Sequence, residues 1–160
     1  QQFYEAIGSF TGTKGRMELI AKTETTSFYK DFAHAPSKVK ATIKAMKELH
    51  PSRKLVACME LHTFSSLNQQ YLPQYKGTTT PAEEVLVYYN PKTVAAKKLE
   101  PLSDEVLQKA FGRDIQIFID AVKLEETLSN KNWDNTDLVM MTSGNFGGIN
   151  YQNIAEQVTG

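Results

Sequence analysis

The chain has one cysteine, three histidines, no surplus of either charge and no long apolar run, and each shortage excludes something. Cys58 has no partner for an internal disulfide. Inside Leu55-Val56-Ala57-Cys58-Met59 it reads as a small buried hydrophobe of a reducing compartment. Lysine plus arginine equals aspartate plus glutamate, 18 against 18. That balance argues against nucleic acid or a membrane surface as partner, because such binding rests on excess positive charge. No apolar segment approaches the ~20 residues of a membrane span. The first residues carry no signal-peptide pattern, and a cytoplasmic location is expected. His34 and His62 could join Asp31 around a metal, but their spacing matches no standard zinc pattern, so no metal site is expected. There is no Gly-Lys-Ser/Thr phosphate loop, no dinucleotide fingerprint on a first strand–helix turn and no Gly-x-Ser-x-Gly elbow. A triad assembled from Ser65, His34 and Asp31 therefore has little support.

What is present is an alternation of strands and helices. Met17 to Ala21 and Ser27 to Phe32 read as strands around the polar turn Thr23-Glu24-Thr25-Thr26. Pro36 to Leu49 reads as a helix: Val39, Ile43, Met46 and Leu49 repeat at the spacing of one buried face, and Pro36 suits the first helical position. Lys38, Lys40, Lys44 and Lys47 lie off that stripe and read as a solvated face. Lys54 to Leu61, Glu84 to Asn90 and Asp137 to Thr142 are continuous apolar runs, as strands covered on both faces would be, and Ile115 to Ile119 is a weaker fourth. Ser103 should cap a helix to Ala110, Asp120 a second through Leu128, and a third should run from Asn150 to Val158. The segment from His62 to Glu83 is long for a connection; such a loop is often a functional lid or hides a short helix, here near Leu67 to Tyr75. Trp133 is expected to pack under a loop. The fold class that follows is α/β: a Rossmann-like, mainly parallel sheet of about six strands with helices on both faces. Gln1 to Phe10 has helical spacing, and Thr11 to Gly15 is rich in turn formers. Residues 1–14 are expected to be the tail of a preceding domain with its linker, and residues 15–160 the domain itself.

In open α/β sheets, ligands bind outside the carboxyl ends of the strands. Three segments should leave such ends: Asp31-Phe32-Ala33-His34-Ala35-Pro36, Glu60-Leu61-His62-Thr63-Phe64-Ser65-Ser66-Leu67-Asn68, and Thr142-Ser143-Gly144-Asn145-Phe146-Gly147-Gly148. The helix opening at Pro36 offers unpaired amides to an anion, and Asp31 could accept from ribose hydroxyls. The plainer alternative is that Asp31 holds the turn and His34 is structural. Gly144, Gly147 and Gly148 allow close backbone approach, or simply a tight connection.

Read together, Gly15-Arg16-Met17-Glu18, the acid-aromatic-small-His-x-Pro motif at Asp31 to Pro36, and Leu138-Val139-Met140-Met141 running into Gly144-Asn145-Phe146-Gly147-Gly148-Ile149 resemble the C-terminal domain of the Mur ligases. The resemblance covers nearly the whole chain. It implies an ATP-dependent amide ligase in which a carboxylate is phosphorylated to an acyl phosphate and an amine displaces the phosphate. ATP and Mg2+ would be held mainly by a central ATPase domain, this domain's own partner, over which it closes with the amine substrate. The isolated domain would carry no catalytic residue and be inactive. The resemblance places Arg16, Asp31 and His34 on the nucleotide side, and Glu60, His62, Ser66, Asn68, Ser143 and Asn145 on the peptide side.

The murein peptide ligase branch joins the tripeptide L-Ala-γ-D-Glu-meso-diaminopimelate to UDP-N-acetylmuramate in peptidoglycan recycling. Glu60 and the ending GNFGGI resemble that branch, although His62 stands where it carries an arginine. Thr63 and Ser66 stand where the alanine-adding branch, UDP-N-acetylmuramate–L-alanine ligase, carries arginines. A non-catalytic nucleotide- or peptide-binding module is the alternative of another class.

Overall fold

The structure is a computed structural model that describes residues 5–6 and 17–160. The strands are β1 (Glu5–Ala6), β2 (Glu18–Lys22), β3 (Ser27–Asp31), β4 (Lys54–Leu61), β5 (Glu84–Tyr89), β6 (Gln116–Phe118) and β7 (Thr136–Met141). The helices are α1 (Pro36–Leu49), α2 (Pro91–Ala96), α3 (Asp104–Phe111), α4 (Ala121–Ser129) and α5 (Tyr151–Thr159), with 3-10 turns at Leu72–Tyr75 and Phe146–Gly148. The sheet runs β1-β2-β3-β7-β4-β5-β6. From β3 to β6 every pairing is parallel, and β1 and β2 add an antiparallel edge. The expected α/β class with a mainly parallel sheet is what the chain forms, with β1 as a short seventh strand.

Why each element forms where it does follows from side-chain period and caps. Along β4, Leu55, Ala57, Met59 and Leu61 face one core while Val56 and Cys58 face the other, the period-two alternation of a strand buried on both sides. The first core takes Val39, Ile43 and Met46 of α1 and Leu107 and Phe111 of α3. The second takes Leu124 and Leu128 of α4 and Ile154 and Val158 of α5. Ser103, Asp120 and Asn150 each accept a first-turn amide with their side chains, as expected of N-caps. Trp133 is buried in the second core, its Nε1 donating to the Leu128 carbonyl at 2.8 Å.

Four expectations need correction. Glu5–Ala6 is a strand paired with Lys22 and Ala21, not helix; the rest of the helical reading of Gln1 to Phe10, and the boundary at residues 14–15, lie outside the described residues. Leu49 is 47% exposed rather than buried: at about 100° per residue it has swung about 80° from Val39, and it is the last helical residue. Lys47 leaves the solvated face to bind the Arg53 carbonyl at 2.7 Å and Glu83 at 2.8 Å. Helix α2 was not anticipated, although Asn90 accepting from the Lys92 amide and Pro91 at the first position are a cap-and-proline start.

Candidate functional site at the carboxyl edge of the sheet

Parallel pairing fixes where the three segments go. Asp31 lies beside Met141, and Met141 beside Met59, so β3, β7 and β4 end together. The loops that follow leave from one edge. The Thr142 amide continues the ladder to the Asp31 carbonyl at 3.0 Å and ties two of these loops at their roots.

At the first loop, Asp31 is buried, and its Oδ2 accepts from the Ala33 amide at 3.0 Å and from Thr42 Oγ1 at 2.8 Å. The carboxylate thus pins the turn to α1. His34 is partly exposed; its Nδ1 lies 3.3 Å from the Phe32 carbonyl and its ring meets Phe32 edge-on at 5.7 Å. Helix α1 starts with Ala35 as N-cap, without a side-chain cap and without an acid in its first turn. Its first-turn amides are thus not capped by a side chain among the described residues, an arrangement that suits an anion supplied from outside. Arg16 lies outside the described residues.

At the second and third loops the contacts are tighter. Glu60 points to the α4–α5 face of the sheet, is buried, and accepts on Oε1 from Thr142 Oγ1 at 2.6 Å and from the Phe146 amide at 2.8 Å. Because the Thr142 hydroxyl donates to Glu60, it accepts in turn from the Gly144 amide at 2.7 Å. His62 Nε2 lies 2.6 Å from Ser143 Oγ. A Cβ on Gly144 would stand 3.0 Å from His62 Nε2 and 3.1 Å from Glu60 Oε1, tighter than ordinary contact, so a side chain there would push His62 and Glu60 aside by a few tenths of an ångström. Tyr88 and Tyr151 stand near this acid. Burial first, then the Glu60 carboxylate, pushes both phenols above the ordinary tyrosine range. The buried Tyr151 hydroxyl has no hydrogen-bond partner among the described residues, and Lys30 Nζ sits 4.8 Å from the centre of its ring.

The structure therefore brings Glu60, His62, Ser143 and the glycine turn into contact, with Asp31 and His34 on the neighbouring loop of the same edge. It does not present every expected side chain to a ligand. Ser66 is buried and spends its hydroxyl on the Thr63 amide, hydroxyl and carbonyl. Asn68 accepts from the Gln70 amide at 2.8 Å, capping a turn. Asn145 is exposed and accepts from the Gly147 amide at 3.1 Å. Thr142, the hinge of the Glu60 network, went unnoticed as a site residue; its place at a strand end beside Gly144 was the signal. Among the described residues no group of three His, Cys, Asp or Glu side chains could hold a metal ion. No helix among them is long and apolar enough to cross a membrane.

Comparison with known proteins agrees with this geometry. Residues 15–145 match the family model described as Mur ligase, glutamate ligase domain. A UDP-N-acetylmuramate–L-alanine ligase of Fusobacterium nucleatum is 26% identical over 172 aligned positions, covering 100% of this chain and 36% of that protein. The corresponding ligase of Cutibacterium acnes is 30% identical over 88 positions, 54% of this chain and 18% of that protein, so the chain spans a minor part of either relative. Among solved structures, a murein peptide ligase from Psychrobacter arcticus superposes with a TM-score of 0.72 at 24% identity, over 93% of this chain and 31% of that one. A domain from a protein of Haemophilus ducreyi, described as a putative UDP-N-acetylmuramate:L-alanyl-γ-D-glutamyl-diaminopimelate ligase, superposes at 0.56 and 19% identity over 91% of this chain and 98% of that one. The fold, the shared carboxyl edge and the match over residues 15–145 carry one conclusion: the chain belongs to the Mur ligase family, as its glutamate ligase domain.

Proposed function

We propose that this chain is the C-terminal domain of an ATP-dependent amide ligase that joins L-Ala-γ-D-Glu-meso-diaminopimelate to UDP-N-acetylmuramate through an acyl phosphate, in the cytoplasm. The observation that supports the reading is the shared carboxyl edge of β3, β7 and β4, which the Asp31–Pro36 turn and the Glu60–His62–Ser143 cluster both occupy. The other wall is the central ATPase domain, which holds ATP and Mg2+. This domain's part is to orient the amine and, on closing, to keep water from the acyl phosphate. Asp31 faces the ribose, and the uncapped start of α1 faces phosphate. Phe32 and Phe64, each more than half exposed on this edge, are apolar ground for the contact between the two domains.

The choice of tripeptide over alanine rests on the arginines. A small amino acid is held best by a bidentate guanidinium on its carboxylate. Arg53 donates to Asp137 at 2.9 Å and Arg113 to the Thr79 and Ala82 carbonyls at 2.8 Å, both before the amino ends of strands. Among the described residues the carboxyl edge holds no arginine, and Thr63 and Ser66 bond each other at 2.8 Å. The whole-chain likeness to a Fusobacterium alanine ligase keeps L-alanine as the competing amine. The test is phosphate release by the full-length enzyme with ATP, UDP-N-acetylmuramate and either the tripeptide or L-alanine. Release with the tripeptide is expected; release with alanine alone overturns the choice.

A further inference from the structure

The connection from Leu61 to Glu84 is much longer than the fold requires. It must return from the carboxyl end of β4 to the amino end of β5, a height that about eight extended residues would cover. Residues 62–83 instead form a built unit. Tyr75 is fully buried in it, stacked on Phe111 of α3 at 5.2 Å with the rings 13° from parallel, and met edge-on by Tyr71 at 6.2 Å. Thr78 Oγ1 donates to the Tyr75 carbonyl at 2.7 Å, and Gln69 Nε2 to the Pro101 carbonyl at 3.0 Å. The exit of the unit is clamped by Arg113, which donates to the Thr79 and Ala82 carbonyls at 2.8 Å and to that of Glu83 at 3.3 Å.

From this anchored base the Tyr75 hydroxyl reaches out of the unit and donates to the His34 carbonyl. That carbonyl lies just ahead of α1, where no helical amide serves it: the Lys38 and Val39 amides both go to Ala35 at 3.0 and 2.9 Å. The bond falls in the middle of the turn between Asp31 and Pro36.

We propose that Tyr75 is a positioning residue for the nucleotide-side turn, fixing the His34 backbone and the uncapped start of α1 from the aromatic platform on α3. This rests on the reading of that turn as the nucleotide side. The hydroxyl sets geometry while the ring supplies packing, so the two separate on removing one oxygen atom. In the full-length enzyme, Tyr75→Phe keeps the stack on Phe111 and frees the His34 carbonyl.

The experiment measures KM for ATP, KM for the amine substrate, kcat and thermal unfolding for Tyr75→Phe, with Asp31→Asn and Tyr71→Phe alongside. Loss of one such bond is expected to raise the KM for ATP about threefold to tenfold, with kcat and the amine KM within about twofold. Tyr71→Phe, in the same aromatic group but without a bond to the turn, is expected to change none of them. A raised ATP KM in Asp31→Asn with an unchanged one in Tyr75→Phe overturns the positioning role alone. An unchanged ATP KM in Asp31→Asn overturns the nucleotide-side reading and takes the proposal with it. Equal effects of Tyr75→Phe and Tyr71→Phe, or a fall in kcat with no change in the ATP KM, reduce Tyr75 to packing.

Discussion

Replacing Glu60 by alanine asks whether this acid faces the substrate or holds the site together. In the structure one carboxylate oxygen secures the whole Thr142–Phe146 turn, through the Thr142 hydroxyl at 2.6 Å, the Phe146 amide at 2.8 Å and, behind the hydroxyl, the Gly144 amide at 2.7 Å. A hydrogen bond to a charged group contributes about 1.5–3 kcal/mol, and an amide left buried without a partner loses its hydration as well. The two direct bonds share Oε1, so their losses overlap, and a net destabilisation of about 3–5 kcal/mol is expected. Against a total of about 5–15 kcal/mol for a domain this is a large fraction. Glu60→Gln keeps the shape and one acceptor but loses the charge, and should cost about 1–2 kcal/mol. Urea denaturation of the 160-residue chain reads both, and amide exchange at Phe146 should accelerate in the alanine variant before other strand amides do. The reasoning fails if Glu60→Ala leaves the urea midpoint unchanged while raising the KM for the amine substrate in the full-length enzyme. Glu60 would then be the peptide contact that the family resemblance implies.

Two further outcomes follow from burial and charge. Burial raises the pKa of Glu83, but the hydrogen bond from Lys47, the Leu55 amide and the Lys47 charge outweigh it and leave the carboxyl below the ordinary glutamate range. Its contribution to stability is therefore present above the unfolded glutamate pKa and lost as pH falls through the depressed native value; comparing Glu83→Gln with the parent by denaturation from pH 7 to 3 should show a difference that vanishes at the acid end and, with the side chain 42% exposed, stays under about 1 kcal/mol at neutral pH. Cys58 is fully buried, and burial together with the Glu60 charge raises its thiol pKa; the native chain should leave an aromatic disulfide reagent unreacted at pH 8 and the urea-unfolded chain should consume one equivalent, whereas rapid native labelling would contradict the packing of β4.

The sheet was legible because β4, β5 and β7 are apolar on both faces, a pattern that only a covered strand needs, and because Pro36, Ser103, Asp120 and Asn150 announce helix starts by local chemistry. The gathering of three loops at one edge was equally legible, since parallel pairing leaves their directions no choice. The partners inside the site were not. Glu60 meets Phe146 across 86 positions of sequence and His62 meets Ser143 across 81, and no period or spacing encodes such pairs. Likewise nothing near Tyr75 signals that its hydroxyl belongs to a turn 41 residues earlier. Helix α2 was missed for a different reason: with six residues it is too short to show a stripe.

The glycine turn shows how these levels meet, because its glycines answer different demands. Gly144 answers to proximity: a side chain there would press on His62 and Glu60. Gly147 is required by both conformation and proximity: its φ is +68°, and a Cβ would run into the Tyr88 hydroxyl. One glycine thus lets the turn settle onto β4 and the other lets it settle onto β5, whose Tyr88 lies in register with Glu60. A turn held by two strands and one carboxylate oxygen has little freedom of its own. The exposed Asn145 side chain and the half-buried His62–Ser143 pair then keep a fixed place relative to Asp31. On the function proposed above, in which the domain carries an amine to an acyl group held on another domain, such fixity would make closure a rigid-body event. The precision of the approach is then set by the sheet rather than by the loops.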